Sequence, residues 1–103
     1  MKSRKEALEE FVAADPDDSF SRYALALELE KEGGEADAVL QFREVIARDP
    51  GYVAAYYHLG KVLARTNHVD EARDVYRKGL VAATAANDQR TRTEIREALD
   101  ALD

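Results

Sequence analysis

Residues 51–80, GYVAAYYHLGKVLARTNHVDEARDVYRKGL, read as two amphipathic helices around a short turn. Tyr56, Leu59, Gly60 and Leu63 recur at three- and four-residue intervals, the spacing that gathers side chains on one face of a helix. Thr66-Asn67-His68 interrupts the pattern, and asparagine is the commonest residue after glycine to take the left-handed conformation that ends a helix. Ala72 and Tyr76 then mark the inner face of a second helix. A single pair of helices cannot bury its own apolar face, so this stretch needs neighbours built on the same plan.

A weaker copy lies 34 residues upstream. That displacement aligns Asp15-Pro16 with Asp49-Pro50, Tyr23 with Tyr57, Leu25 with Leu59, Leu29 with Leu63, Ala38 with Ala72 and Phe42 with Tyr76. Around the two copies the remaining helix signals fall in order. Ser3 and Glu6 form a capping box that opens a helix to about Ala14, with Leu8, Phe11 and Val12 on one face. Asp15-Pro16 ends it, because the residue before proline is pushed out of the helical region. Asp17 and Asp18 offer cap oxygens to a helix reaching about Glu32, which Gly33-Gly34 stops. A third helix spans about 35–48, with Ala38, Phe42, Val45 and Ile46 inward. The fourth and fifth span about 53–65 and 69–86, and the sixth runs from about Gln89 to Leu102 with Ile95, Ala98, Leu99 and Leu102 on one face. No stretch alternates with period two, so no strand is predicted.

Length and composition agree with one folded domain. A chain of 103 residues, 46% hydrophobic and 35% charged, can bury a single core. It has no cysteine, which excludes a disulfide frame and thiolate metal sites. No apolar run approaches the roughly 20 residues that span a bilayer, and the first fifteen residues lack the apolar segment of a secretory signal. The expectation is a cytoplasmic protein without membrane contact. Seven Lys and Arg stand against thirteen Asp and Glu in residues 1–50, and eight against eight in 51–103. The whole net charge of −6 therefore falls on the first half, and a net acidic chain disfavours nucleic acid as a partner.

With its period and its residues taken together, the sequence resembles the tetratricopeptide repeat family, whose unit is a 34-residue helix-turn-helix. Tyr56, Leu59-Gly60, Leu63, Ala72 and Tyr76 fit the family pattern in the later copy; Leu25-Ala26, Leu29, Ala38, Phe42 and Pro50 fit it in the earlier one. The resemblance implies an all-α fold of about six helices, stacked as antiparallel pairs in a short right-handed superhelix. It divides the chain into an N-terminal half-repeat helix (1–16), a first repeat (19–52), a second repeat (53–86) and a capping helix (88–103). Three departures stand out. Arg22 replaces the first aromatic and predicts a weaker anchor there, Gly79 replaces a commoner alanine at a cost of about 1 kcal/mol, and Thr84 replaces the closing proline.

The same resemblance implies a function. First helices of the family line a concave groove, and the matching positions here are Phe20, Tyr23 and Leu27 in one repeat and Tyr57, His58, Lys61 and Arg65 in the next. The second helix does carry two apolar stripes: Leu25, Ala26 and Leu29 on one side, Phe20, Tyr23, Ala24 and Leu27 on the other. Those seven groove residues are the candidate peptide-binding site, with aromatics to pack side chains and Lys61 and Arg65 to pair with a carboxylate. The plain alternative is that neighbouring helices cover the stripe. Some family members clamp the acidic tail of chaperones with Lys and Asn; Tyr23, Leu27 and His58 stand at those positions, so no such clamp is expected.

No catalytic, metal or cofactor site is expected. His58 and His68 are ten residues apart without a paired ligand motif, and Ser3, Ser19 and Ser21 sit where helix caps belong. Arg90, Arg92 and Arg96 read as a solvated face, with Arg96 and Asp100 in i,i+4 register. The protein is therefore read as a non-catalytic module that holds a peptide segment of another protein. The alternative is a self-associating scaffold that uses the apolar stripe or last helix; the monomer is favoured over a homo-oligomer.

Overall fold

A computed structural model describes all residues, 1–103, and contains six α-helices and no strand. They are α1 (Arg4–Ala14), α2 (Ser19–Lys31), α3 (Glu35–Arg48), α4 (Val53–Arg65), α5 (Val69–Ala85) and α6 (Gln89–Asp100). The boundaries follow from capping chemistry. Ser3 Oγ accepts from Glu6 N at 3.1 Å, and Asp18 accepts from both Ser21 N and Ser21 Oγ, at 3.1 and 2.6 Å. Asp88 accepts from Thr91 N at 3.0 Å. Helices α2 and α4 end on Gly33 (φ 84°) and Asn67 (φ 66°), and in both the next residue donates its N–H back across the turn, Gly34 to Leu29 O and His68 to Leu63 O, each at 2.8 Å. This closure satisfies carbonyls that a helix end would leave orphaned. Asn87 closes α5 in the same way. Helix α6 stops at Asp100, and residues 101–103 form a tighter turn in which Leu102 and Asp103 donate three residues back.

The helices form two compact units, Met1–Asp49 and Pro50–Asp103. In the first, α2 packs against both α1 and α3. Leu8, Ala24 and Leu25 are buried together with Val12 and Leu29 beside them, and Ala26, Ala38, Phe42 and Val45 are buried on the α3 side. Arg48 ties the end of α3 to Asp17 (2.9 Å) and to Glu44 (2.7 Å), contacts that are surface-exposed and of small energetic weight. One expectation fails here. Phe11, placed in the core by the sequence, is 58% exposed, whereas Leu8 is buried. A helix face is wide enough for both, but α2 covers only the Leu8 side.

In the second unit α5 packs against α4 and α6, and α6 also touches α4. Tyr76, Leu59, Ile95 and Val62 are its largest fully buried side chains. The small residues are required by close approach. A Cβ on Gly60 would overlap the Tyr76 ring, and one on Gly79 would lie 2.7 Å from Tyr56 Cβ and 3.0 Å from Ile95 Cδ1. Gly79 is thus a point where α5 meets α4 and α6, which corrects its reading as a mere helix-weakening departure. Arg73 fastens the chain end by donating to Leu102 O at 3.1 Å and pairing with Asp103 at 3.4 Å.

Candidate functional site

Each unit presents its first helix of a pair with one side in the core and one outward. On α2 the inward side is Leu25 and Ala26, both buried. The outward side carries Phe20, 66% exposed, then the half-buried Tyr23 and Leu27. Tyr23 is held by its own unit: its ring lies 6.1 Å from that of Phe42, tilted by 60°. It therefore serves the α2–α3 seam and leaves part of its surface outside. Lys31, exposed, ends the stripe in the last turn.

On α4 the equivalent outward side gathers three of the four predicted residues into one cluster. The half-buried Tyr57 ring meets the His58 ring edge-on at 5.4 Å and 67°, and Lys61 Nζ sits 5.1 Å from the Tyr57 ring centre. A cation over an aromatic face is attracted by the ring's quadrupole. Lys61 is thus held beside the ring with its charge still exposed. Arg65, one turn further on, is exposed. Beneath this cluster Tyr76 is buried, and burial, with a smaller contribution from Tyr57, pushes its phenol up to about 12. It stays neutral at any physiological pH, so the positive charge of this face comes from Lys61 and Arg65.

The polar support of α2 and α4 is a feature that the sequence reading missed. Arg22 is buried, with Nη2 donating to Pro16 O at 3.1 Å and Nη1 to Gln41 Oε1 at 2.9 Å. Tyr56, its equivalent 34 residues on, donates its hydroxyl to Pro50 O at 2.6 Å. Arg22 is therefore the counterpart of an anchor, where the sequence predicted a weak one. The signal was available: the Pro16/Pro50 alignment and the Arg22/Tyr56 alignment have the same offset, and both side chains can donate at their tips.

The other candidates resolve plainly. Ser21 Oγ is engaged in the α2 cap, and His68 Nδ1 lies 3.0 Å from Thr66 Oγ1 at an exposed turn. Arg90 reaches Glu94 at 3.9 Å, and Arg92 and Arg96 border a shallow cleft between α5 and α6. No helix is long and apolar enough to cross a membrane.

The comparisons with known proteins agree with this geometry. A tetratricopeptide repeat profile matches residues 2–83. A tetratricopeptide repeat domain protein from Salinibacter ruber is 38% identical, with a TM-score of 0.82 over 86% of this chain and 90% of that one. The protein BPP2914 from Bordetella parapertussis is 28% identical, with a TM-score of 0.84 over 99% of this chain and 89% of that one. The TPR2B domain of yeast Sti1, solved in complex with pHsp70, shares the fold with a TM-score of 0.89 at 18% identity, over 95% of this chain and 78% of that one. No protein of curated function matches the chain. Folds of this kind are protein–protein interaction modules. The 34-residue register, the six paired helices and the profile match over most of its length lead to one conclusion: this chain belongs to the tetratricopeptide repeat family.

Proposed function

We propose that the protein is a non-catalytic binding module that takes a peptide segment of a partner protein in the concave groove implied by its family. Phe20, Tyr23 and Leu27 would supply apolar contact, and Tyr57, His58, Lys61 and Arg65 an aromatic and cationic one. The observation that carries this reading is the Tyr57–His58–Lys61 cluster. Its ring surface is half-exposed and its cation is held in place by a ring. Aromatic side chains with a fixed cation suit a segment bearing an apolar residue next to a carboxylate, because large rigid side chains bind with little entropic cost and carboxylates bind cations strongly. Tyr23, Leu27 and His58 in place of Lys, Asn and Asn argue against the chaperone-tail clamp; the pHsp70 complex of the Sti1 domain supports only the general idea of a bound partner on this fold.

The test is calorimetric titration with a set of peptides ending in apolar-acidic tails. Tyr57→Ala and Lys61→Glu should each weaken binding by about tenfold or more, the cost of a central interface residue. Lys78→Glu, an exposed change on α5, should leave it unchanged. Equal effects from all three variants would defeat the reading.

A further inference from the structure

One member of the α4 cluster belongs to the residue type that changes charge near neutral pH. The chain has two histidines and no cysteine, so His58 and His68 are its side chains of the kind that gain or lose a proton between about pH 5 and 8. His68 stands on the exposed turn after α4, with Nδ1 3.0 Å from Thr66 Oγ1. His58 stands inside the candidate site. It is half-buried, and its ring meets that of Tyr57 edge-on at 5.4 Å. Lys61 follows three residues on, a spacing that makes two side chains neighbours on a helix surface. Lys61 Nζ lies 5.1 Å from the centre of the same Tyr57 ring, and no carboxylate pairs with it. An imidazole and an unneutralised ammonium therefore share one aromatic side chain. The other charged or titratable groups around α4 in its unit are already engaged or neutral. Arg65 is exposed on α4 itself, and Tyr56 donates to Pro50 O. On α5, Tyr76 is buried and keeps its proton up to about 12, and Arg73 is held by Asp70, Asp103 and Leu102 O. On α6 the half-buried acid is Glu94, 3.9 Å from Arg90.

We infer that His58 makes the capture of an acidic segment pH-dependent: once protonated it joins Lys61 as a second cation at the Tyr57 ring, and a carboxylate bound there holds the proton on. This rests on the peptide-binding reading of the same site and adds its regulation. The sign follows from the neighbours. In the free protein the Lys61 ammonium opposes another positive charge beside it, because a like charge disfavours the charged form. A bound carboxylate reverses that influence. A ligand that binds the protonated form more tightly must in return favour protonation, so the two equilibria are linked. Affinity for an acidic segment therefore rises as pH falls from about 8 to about 5.5, a window in which ordinary side-chain carboxylates stay ionised.

Two measurements test it. The first needs no ligand: the imidazole protons of the free protein are followed by NMR across the pH range. Lys61→Met keeps the stem and removes the charge, so it should move the His58 midpoint to higher pH and leave that of His68 in place. The second is calorimetric titration at about pH 8, 7, 6 and 5.5 with an apolar-acidic peptide, and with a copy carrying glutamine for each glutamate and an amidated end. The acidic peptide should bind about three- to tenfold tighter at the acid end, and the copy should show no trend. His58→Gln should abolish the trend, and His68→Gln should keep it. A His58 midpoint indifferent to Lys61, a flat affinity, or a trend that survives His58→Gln overturns the inference. If the acidic peptide binds and is weakened by Tyr57→Ala and Lys61→Glu while the trend is absent, the inference falls alone. If no such peptide binds at any pH, the peptide-binding reading falls and this regulation with it.

Discussion

The two repeats perform the same structural tasks with different chemistry. In the first, Arg22 reaches Pro16 O and its register partner on α3 is Val45; in the second, Tyr56 reaches Pro50 O and the partner on α5 is Gly79. A slim aliphatic stem goes with a branched residue, and a broad ring goes with no side chain at all. The next layer repeats the exchange: Ala26 with Phe42, Gly60 with Tyr76. What is held constant is the facing of a larger side chain by a smaller one between paired helices, and the donor to the proline carbonyl. Close-packed interiors tolerate exchanges that conserve volume and resist those that do not. The residues themselves are free within that condition, which is why the period shows in the sequence as a scatter of partial matches.

Changes to the shared core should have the largest effect. Leu59→Ala removes a side chain 1% exposed and should cost about 2–5 kcal/mol in urea unfolding, and Leu25→Ala, at the same position of the first repeat, should behave alike. A negligible cost at Leu59 would break the core assignment. Gly60→Ala should cost about 1–3 kcal/mol, since the new methyl overlaps a buried ring and that strain exceeds the gain in helix propensity. Adding Tyr76→Phe should recover little, because the ring carbons that the methyl meets, Cδ1, Cε1 and Cζ, remain; full recovery would show that the ring overlap is not the source of the loss.

The anchors should differ from each other. Tyr56→Phe loses the bond to Pro50 O and should cost about 1 kcal/mol. Arg22→Met should cost less or nothing. The arginine leaves Nε buried without a partner, and replacing a buried charge by an apolar residue of similar volume is often neutral. Paired unfolding curves of the two variants decide this, and a larger loss at Arg22 would reverse the comparison.

The smallest effects depend on pH. Tyr76 holds its proton up to about 12, above the ordinary 10.0, so the stability it contributes is complete below pH 10 and is lost as pH rises toward 12. Tyr76→Phe should abolish that alkaline decline in thermal melts. Asp18 moves the other way. The Ser21 hydroxyl, then the Ser21 N–H, hold its carboxyl below 3.8, so its contribution is present above that value and disappears as pH falls through the lowered one. Asp18→Asn should flatten the acid arm, and Tyr52→Asn at the same register position should not, because Tyr52 makes no side-chain cap.

Most of the helical fold was legible in the sequence, for identifiable reasons. The two Asp-Pro steps, Gly33 and Asn67 fix chain direction locally, so the six helices fall within a residue or two of their expected limits. What was not legible depends on neighbours. Phe11 has the spacing of a core residue, and only the absence of a helix beside it makes it exposed. Arg22 looked like a lost aromatic because its role depends on the Pro16 carbonyl, a group that every residue type shares. Gly79 looked costly because a helix propensity does not register the Tyr56 ring lying against it. For the candidate site, the sequence placed Tyr57 and Lys61 on one side of α4, and the cation–ring contact between them is a matter of side-chain geometry.

Mapping amide shifts in the labelled protein during titration with an apolar-acidic peptide that binds it tests the central claim most directly. The account predicts that the amides of Tyr23, Leu27, Tyr57, His58 and Lys61 move together with the binding isotherm. A bound peptide that leaves these still and moves Arg43 on α3 and Arg77 on α5 would contradict it.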